Sequence, residues 1–400
     1  MTSKEKSILQ KEIVDSLEPK PHGRALLAPR VGKTKLVIDT IKRDKPASIL
    51  WVTPSAELAE KDIPEEFVTW KAKRFIKNLS TVTWMSLNKI VGHYEMVVLD
   101  EEQFATENNL ETLLDGSLSA DYIFSMTGTP TKHKEKEELY KRLNLEVLYE
   151  LSINEAVDIG LLSNYDMKIL EVDMNNKKSI VAGTKEKPFM VSEMTQYAFL
   201  DKSMKMALYQ KRRDVQYRIM ARRRFIANST SKFEAAKFLM TTLEGRKMFF
   251  AGSIDQAEKL CENVYHSKTD NKDLIAFKNG DIDNIALVDT GGTGHTYKEI
   301  DHLIVIQSDS DKNGRTSQKI SRTLLQQKDY KATVWLISLT QTQDEKWVKS
   351  TLENFDMSKV EYIRFKNLMN NVELPESVDL DMFKKHGVKT IQKGKTSYEL

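Results

Sequence analysis

Two short clusters of charged and hydroxyl side chains each follow a run of apolar residues in this chain of 400 residues. One cluster is Gly32-Lys33-Thr34, and the other is Asp100-Glu101. A lysine behind a glycine turn suits phosphate oxygens, a hydroxyl and an aspartate suit Mg²⁺, and a glutamate suits a general base. Together these residue types could bind a nucleoside triphosphate and direct water at its terminal phosphate.

The segment around Lys33 predicts the local structure that a phosphate site needs. Arg24–Ala28 has the pattern of a strand, and a helical pattern begins after Gly32. At the start of a helix, free backbone amides and the helix dipole attract phosphate. The usual pattern G-x-x-x-x-G-K-[ST] has glycine where this chain has Leu27, so an ordinary strand, turn and helix remains the alternative.

The acidic cluster ends an apolar run, EMVVLD at residues 95–100, that predicts a buried strand. The carboxyl ends of parallel strands are where such sheets bind ligands. We expect Lys33 to contact the β- and γ-phosphates, Thr34 and Asp100 to hold Mg²⁺, and Glu101 to deprotonate the attacking water. The alternative, a loop of solvated acids, does not explain the apolar strand. The two clusters therefore predict a site for a nucleoside triphosphate with Mg²⁺.

Composition excludes several classes of protein. Apolar residues make up 40% and charged residues 30% of the chain, which is enough for a folded core and unlike a low-complexity sequence. Cys261 is the single cysteine, so no intrachain disulfide can form. No stretch approaches the roughly 18 apolar residues of a membrane span, and the polar N-terminus does not resemble a signal peptide. We expect a cytoplasmic protein with no membrane partner.

Apolar runs alternate with amphipathic segments, which predicts βαβ units and an α/β fold with parallel sheets. The alternation occurs in two blocks, so we predict domains at residues 1–160 and 161–345, a basic helical segment near 193–228, and a C-terminal helix and tail at 346–400. The predicted strands are Arg24–Ala28, Ser48–Thr53, Thr81–Trp84, Glu95–Asp100, Tyr122–Met126, Arg246–Ala251, Ile285–Val288, His302–Gln307 and Thr333–Leu339.

Positive charge is concentrated in one part of the chain. The net charge is +3, but residues 201–250 contain 13 Lys and Arg against 4 Asp and Glu. Helical spacing puts Arg218 and Arg222 on one face of a predicted helix, where they could contact phosphates of a nucleic acid. The alternative is a solvated connector helix whose arginine stems pack on apolar neighbours.

The order and spacing of several motifs resemble superfamily two helicases and translocases, over residues 8–345. That resemblance implies two RecA-like lobes with an ATP cleft between them. The similar segments are Gly32-Lys33-Thr34, Val52-Thr53-Pro54, Thr83-Trp84-Met85-Ser86-Leu87, Asp100-Glu101-Glu102-Gln103, Thr127-Gly128-Thr129-Pro130, Phe249-Phe250-Ala251 with Ser253, Thr290-Gly291-Gly292-Thr293-Gly294-His295-Thr296, and Gln318-Lys319-Ile320-Ser321-Arg322.

The resemblance also implies roles around the nucleotide. Gln10 would read adenine, and Gln318 and Arg322 would approach the γ-phosphate from the second lobe. Arg322 is the expected arginine finger, because Leu325 stands where the family usually has a second arginine; Arg315 is the other candidate.

Further roles follow for residues away from the nucleotide. Gln103, Thr127 and Thr129 would couple nucleotide state to movement. Backbone contacts with nucleic acid would come from Thr53, Thr83, Ser253 and Thr290. For each threonine, a hydroxyl that caps a turn is the alternative.

The resemblance thus implies an ATP-dependent helicase or translocase that acts on DNA in unwinding, branch migration, replication or recombination. Its compact form resembles phage-encoded enzymes, which would place it in the host cytoplasm with replication or recombination proteins as partners. One alternative is an RNA helicase. Another is a nucleic-acid-binding assembly protein with a decayed ATPase, which Leu27, Arg30 and Leu325 favour.

Overall fold

The structure, a computed structural model, describes residues 1–128, 133–288, 297, 299–308, 315–323, 330–371, 390–393 and 396–399. These residues divide into two compact units. The first unit holds Met1–Ser163 and most of a helix that contains residue 318, and the second holds most of the described residues from Asn164 onward.

The described residues of the first unit form a six-stranded sheet with helices in its connections. The strands are β1 (Gly23–Leu27), β2 (Ile49–Thr53), β3 (Leu79–Thr83), β4 (Gly92–Asp100), β5 (Leu118–Thr127) and β6 (Val147–Leu151). The helices are α1 (Ser3–Ser16), α2 (Lys33–Asp44), α3 (Ile63–Thr69), α4 (Glu107–Leu114), α5 (Lys134–Arg142) and α6 (Ile153–Asp158), with shorter helical turns at Leu58–Asp62, Lys73–Asn78, Leu87–Lys89 and Glu102–Phe104.

The first sheet has the strand order β3-β2-β4-β5-β1-β6, and every pair runs parallel. Its central strands are apolar, as residues 96–99 of β4 show by their complete burial. Because β4, β5 and β1 are neighbours, their carboxyl ends meet at one edge of the sheet. That edge carries Asp100, Thr127 and the loop that precedes Lys33.

The remaining described elements belong to the second unit, except for most of the helix that contains residue 318. The strands are β7 (Asn164–Val172), β8 (Lys178–Gly183), β9 (Pro188–Ser192), β10 (Lys247–Phe250), β11 (Val264–Tyr265), β12 (Asn284–Leu287), β13 (His302–Val305), β14 (Lys331–Leu339), β15 (Val360–Arg364), β16 (Thr390–Lys393) and β17 (Thr396–Glu399). The helices are α7 (Glu193–Tyr209), α8 (Val215–Ala227), α9 (Thr230–Thr242), α10 (Ile254–Leu260), α11 (Lys272–Asn279), α12 (Arg315–Thr323, most of which clusters with the first unit), α13 (Gln343–Leu352) and α14 (Phe365–Asn371), with a short helical turn at Met357–Lys359.

The second sheet has seven described strands in the order β11-β12-β10-β13-β14-β7-β15, again all parallel. The C-terminal segment predicted as a helix and tail contributes β15 to this sheet. Phe365 and Met369 of α14 pack in the same core. Two parallel α/β units therefore confirm the predicted fold class.

The basic connection predicted between the two blocks lies between β7 and α9. It begins with the antiparallel hairpin β8–β9 and continues as two helices, α7 and α8, joined by a turn at residues 210–214. We call α7, this turn and α8 the helical arm. The predicted helical character of residues 193–228 is confirmed, with a break that the composition does not reveal.

The spacing of apolar residues over 255–265 predicts one helix, and this prediction is wrong at its C-terminal end. Helix α10 stops at Leu260, and residues 264–265 pair with β12 as strand β11. Helices that could cross a bilayer are absent from the described part of the chain.

Candidate functional site

The phosphate loop, residues 28–32, joins the end of β1 to the start of α2. Gly32 precedes the helix with a φ of 90°, a left-handed conformation that favours glycine. A Cβ atom there would lie 2.4 Å from the side-chain nitrogen of Gln10, which is too close. In the described structure no side chain caps α2, so the amides of its first turn remain available to an anion.

Gln10 reaches the phosphate loop from α1. Its side chain is buried, and Nε2 donates a hydrogen bond to the carbonyl oxygen of Val31 at 2.7 Å. This contact ties α1 to the loop in front of α2. The adenine-reading role of Gln10 stays a prediction, and the hydrogen bond shows a structural use of the same amide.

Lys33 and Glu101, predicted to hold phosphate and to activate water, form an ion pair. The distance between Lys33 Nζ and Glu101 Oε1 is 2.8 Å, and both side chains are partly shielded from water. Glu101 has a left-handed backbone with a φ of 52°, which costs a non-glycine residue about 1–2 kcal/mol. Strain of this kind concentrates at functional sites. The phosphate lysine and the expected base thus lie within direct reach of each other.

Asp100 ends β4 and is buried. Burial and the neighbouring Glu101 carboxylate raise its pKa to about 7, although the Lys33 ammonium opposes the shift. Such a carboxylate gains from a cation that favours its charged form. Thr34 lies in the first turn of α2. Hydroxyl and carboxylate oxygens are ligands that coordinate Mg²⁺. These residues therefore fit the ion, which Asp100 and Thr34 would hold.

Hydrogen bonds connect Glu101 to the end of β5. Gln103 Nε2 donates to Glu101 Oε2 at 2.9 Å, and Thr127 Oγ1 donates to Gln103 Oε1 at 2.6 Å. Gln103 and Thr127 are fully buried, so the structure brings two of the three predicted coupling residues together. The third, Thr129, lies outside the described residues. We call the series Lys33–Glu101–Gln103–Thr127 the strand-end relay.

Glu101 receives a further hydrogen bond from α12. Gln318 Nε2 donates to Glu101 Oε2 at 3.2 Å, and both residues belong to the first unit. Gln318, expected at the γ-phosphate, thus lies beside the expected base. Arg322 and Arg315 occupy the same helix, but their side chains are outside the described part of the chain. The choice of arginine finger stays a prediction.

The second glutamate of the cluster, Glu102, has a different environment. Its buried carboxylate pairs with Arg24 Nη2 at 2.7 Å and accepts a hydrogen bond from Ser125. Arg24 also pairs with Glu137 at 2.9 Å and lies 4.4 Å from the centre of the Tyr140 ring. No local sequence signal predicts this network, because its acidic members lie 78 and 113 residues from Arg24. Glu102 is held inside the protein, which leaves Glu101 as the glutamate able to meet a substrate.

Of the four hydroxyl residues predicted to contact nucleic acid, three fall in the described residues. Thr53 is fully buried at the end of β2, where its hydroxyl has no hydrogen-bond partner in the described structure. Thr83 donates to a serine hydroxyl in its own turn, and Ser253 caps α10. Thr290 lies outside the described residues. All four roles stay predictions, and the hydrogen bond of Thr83 within its own turn supports the alternative stated for the threonines.

Arg218 and Arg222 are engaged with carboxylates of the helical arm. Arg222 Nη1 lies 2.5 Å from Asp201 Oδ1, and Arg218 Nη2 lies 2.8 Å from Asp214 Oδ2. Both arginine side chains are partly buried. Part of their charge is therefore used within the protein, and their contact with nucleic acid stays a prediction.

Known proteins match this chain in structure and not in sequence. No family model matches the chain, and no curated protein matches its sequence. The ATP-dependent Type ISP restriction-modification enzyme LlaBIII, solved with DNA, matches at a TM-score of 0.55 and 13% identity over 96% of this chain and 31% of its own. Dbp5 of S. cerevisiae, solved with RNA and ADP BeF3, matches at a TM-score of 0.53 and 12% identity over 90% of each chain.

The chain shares its fold with Dbp5 and with part of LlaBIII. Its two parallel sheets are tandem RecA-like lobes, as the sequence resemblance predicted. The chain spans about a third of the length of LlaBIII. A further match is the Hef helicase domain of Pyrococcus furiosus, at 13% identity over 86% of this chain and 97% of that domain, but its TM-score of 0.46 is too low to support a conclusion.

Proposed function

We propose that the chain is a nucleic-acid-dependent ATPase that translocates along DNA or unwinds it. The strand-end relay carries this proposal, because it joins the phosphate lysine, the expected base and two coupling residues in one bonded series within the first unit. A structural ion pair alone would not need the strained backbone of Glu101.

The relay implies how nucleotide binding would be sensed. A γ-phosphate competes with Glu101 for the Lys33 ammonium, and the released carboxylate can then accept a proton from the attacking water. Mg²⁺, held by Asp100 and Thr34, would neutralise charge on the β- and γ-phosphates. Because Gln103 donates to Glu101, movement of that carboxylate is passed on to the end of β5. This is the kind of local change that phosphate-held switches amplify.

DNA is the favoured polymer in this proposal. The Asp-Glu-Glu-Gln sequence at residues 100–103 differs from the Asp-Glu-Ala-Asp of DEAD-box RNA helicases. The segment at 290–296, outside the described residues, is similar to that of Swi/Snf-type remodelling ATPases. The matched structures include one bound to DNA and one bound to RNA, so they support nucleic acid in general. An RNA helicase is the second candidate, and replication or recombination partners remain part of the proposal.

The test is ATP hydrolysis by the full chain without nucleic acid and with single-stranded DNA, duplex DNA or RNA. We expect hydrolysis to be stimulated severalfold by nucleic acid and most strongly by DNA. Stronger stimulation by RNA would favour the second candidate. Absence of hydrolysis in all four conditions would overturn the proposal and favour a binding protein with a decayed ATPase.

A further inference from the structure

The helical arm is fixed at its base to the second unit. Glu193, at the start of α7, is buried and accepts hydrogen bonds from Ser229 Oγ at 2.6 Å and from the Asn175 amide at 3.0 Å. The Tyr197 hydroxyl accepts a hydrogen bond from the Gln343 amide at 2.9 Å. These contacts join the arm to the segment after β7, to the residue before α9 and to the first residue of α13, so we expect the arm to keep a fixed direction on this unit.

Charged groups along the length of the arm contact each other. Asp201 of α7 pairs with Arg222 of α8, and Arg218 of α8 donates to Ser203 of α7. These contacts hold the two helices together and partly bury the two arginines. The turn at the far end of the arm carries three consecutive exposed basic residues, at positions 211–213.

This tip, residues 208–217, exposes two tyrosines. Every residue from 208 to 213 is exposed. Tyr209 exposes 86% and Tyr217 exposes 73% of its surface, the two highest values for aromatic residues in the described part of the chain. Aromatic rings left in water do not stabilise the fold, and exposed apolar groups gathered in one place mark binding surfaces.

Lys211 occupies a backbone position that usually takes glycine. Its φ is 49°, its amide donates to the Leu208 carbonyl at 3.1 Å, and the Arg212 amide donates to the Ala207 carbonyl at 2.9 Å. This is the Schellman pattern that ends many helices, with glycine the usual residue at the left-handed position. Lysine there costs about 1–2 kcal/mol in backbone strain. A strained lysine at an exposed turn favours a use for its side chain.

Positive charge dominates the tip. Lys211, Arg212 and Arg213 are consecutive, and Asp214 is the single acid between residues 202 and 233. Asp214 pairs with Arg212 at 3.0 Å and with Arg218 at 2.8 Å, so one carboxylate faces two guanidinium groups. The tip therefore retains a net positive charge that attracts a polyanion.

We propose that the tip binds a single-stranded stretch of nucleic acid, with bases stacked on Tyr209 and Tyr217 and phosphates held by Lys211 and Arg213. This inference rests on the proposed function and adds to it a contact outside the helicase motifs. Exposed rings among cations suit a single strand, because each base offers a flat face and each linkage offers a phosphate. A duplex hides its base faces by stacking, so the tip should prefer unpaired strand.

The test is the affinity of the full chain for a fluorescein-labelled oligothymidylate and for a blunt duplex at one salt concentration. We expect Tyr209→Ala and Tyr217→Ala each to weaken single-strand binding by about fivefold or more and to change duplex binding less. Tyr209→Phe should keep the affinity because the ring remains, and Tyr209→Leu should lose it. Tyr362→Ala, at an exposed tyrosine of β15, is the matched control and should leave both affinities unchanged.

The thermal unfolding midpoint, which exposed substitutions should not change, checks that each variant is folded. Unchanged single-strand affinity in both alanine variants would overturn this inference and leave the proposed function standing. A changed sedimentation coefficient with unchanged strand affinity would also overturn it and assign the tyrosines to a protein contact. A wild-type chain that binds neither probe would overturn the proposed function as well.

Discussion

The carboxyl edge of the first sheet and the helical arm of the second unit both carry charged residues that the sequence singles out. At the sheet edge, Lys33, Glu101 and Thr127 come from segments far apart in the chain, and parallel pairing of β4, β5 and β1 brings them into one bonded series. On the arm, Arg222 pairs with a carboxylate of the other helix, and Arg218 pairs with a carboxylate of the turn between the helices.

The difference shows for which charged residues a sequence pattern can predict a function. A charged residue at the end of a buried strand has its position set by the sheet, so its neighbours follow from the strand order. A charged residue on a helix face has its position set by helical spacing, but the opposing helix decides whether its charge is available. The sheet edge therefore supports specific chemical roles, and the arm supports a role mainly at its tip.

Substitution of Lys33 should give the largest effect at the sheet edge. Lys33→Ala should abolish ATP hydrolysis, because the ammonium that contacts the β- and γ-phosphates is lost. Lys35→Ala is the matched control, since Lys35 lies in the same helical turn, is equally shielded and pairs with Asp39 at 2.5 Å instead. It should retain most of the wild-type hydrolysis rate. Equal rates of ATP hydrolysis in the two variants would show that Lys33 does not contact the phosphates.

We expect Glu102 to contribute mainly to the stability of the fold, whereas Glu101 contributes to ATP hydrolysis. Glu102→Gln should lower the free energy of unfolding by about 3 kcal/mol, because it leaves part of the buried Arg24 charge without compensation. Glu137→Gln, which removes the more exposed partner of Arg24, should cost less than about 1 kcal/mol. Urea unfolding of both variants measures the difference. If Glu102→Gln proves as mild as Glu137→Gln, the buried network is not what separates the two glutamates.

Loss of the Thr127 hydroxyl should interrupt the strand-end relay. Thr127→Val leaves Gln103 Oε1 buried without this donor, at a cost of about 1–3 kcal/mol, and should reduce the stimulation of hydrolysis by nucleic acid severalfold. Thr40→Val removes a buried hydroxyl that bonds only within α2 in the described structure, to the Leu36 carbonyl. That control should keep the ratio of stimulated to basal hydrolysis, and equal ratios in the two variants would rule out a coupling role for Thr127.

The smallest effect is expected for Arg218 and Arg222 of the arm, on the salt dependence of DNA affinity. Each phosphate neutralised contributes about −0.9 to the slope of log affinity against log salt on B-form DNA. Because Arg218 and Arg222 are paired, replacing both with alanine should flatten the slope by less than about one unit. Replacing Lys211 and Arg213 of the tip with glutamine should flatten it more. A change approaching two units from the paired arginines would show that they leave their carboxylates to bind phosphate.

The same contrast explains how far the sequence could predict this molecule. Strand β4 was predictable because its apolar run is unbroken and ends in acid. Edge strand β6 was missed because its apolar run is only three residues long, and most of its residues are exposed. The Arg24–Glu102 pair was missed because ion pairs between distant segments leave no local pattern. For Arg222, helical spacing indicated the face that it shares with Arg218 and could not indicate Asp201 of the other helix.

The central claim is that Glu101, in contact with Lys33, Gln103 and Gln318, is the base of an ATPase site. The most direct measurement follows ATP binding and ATP turnover in the same samples of wild-type and Glu101→Gln protein, with Mg²⁺ and single-stranded DNA present. We expect the variant to bind ATP with near wild-type affinity and to turn it over about 10²–10⁴ times more slowly. Wild-type turnover by a folded Glu101→Gln protein would contradict this assignment.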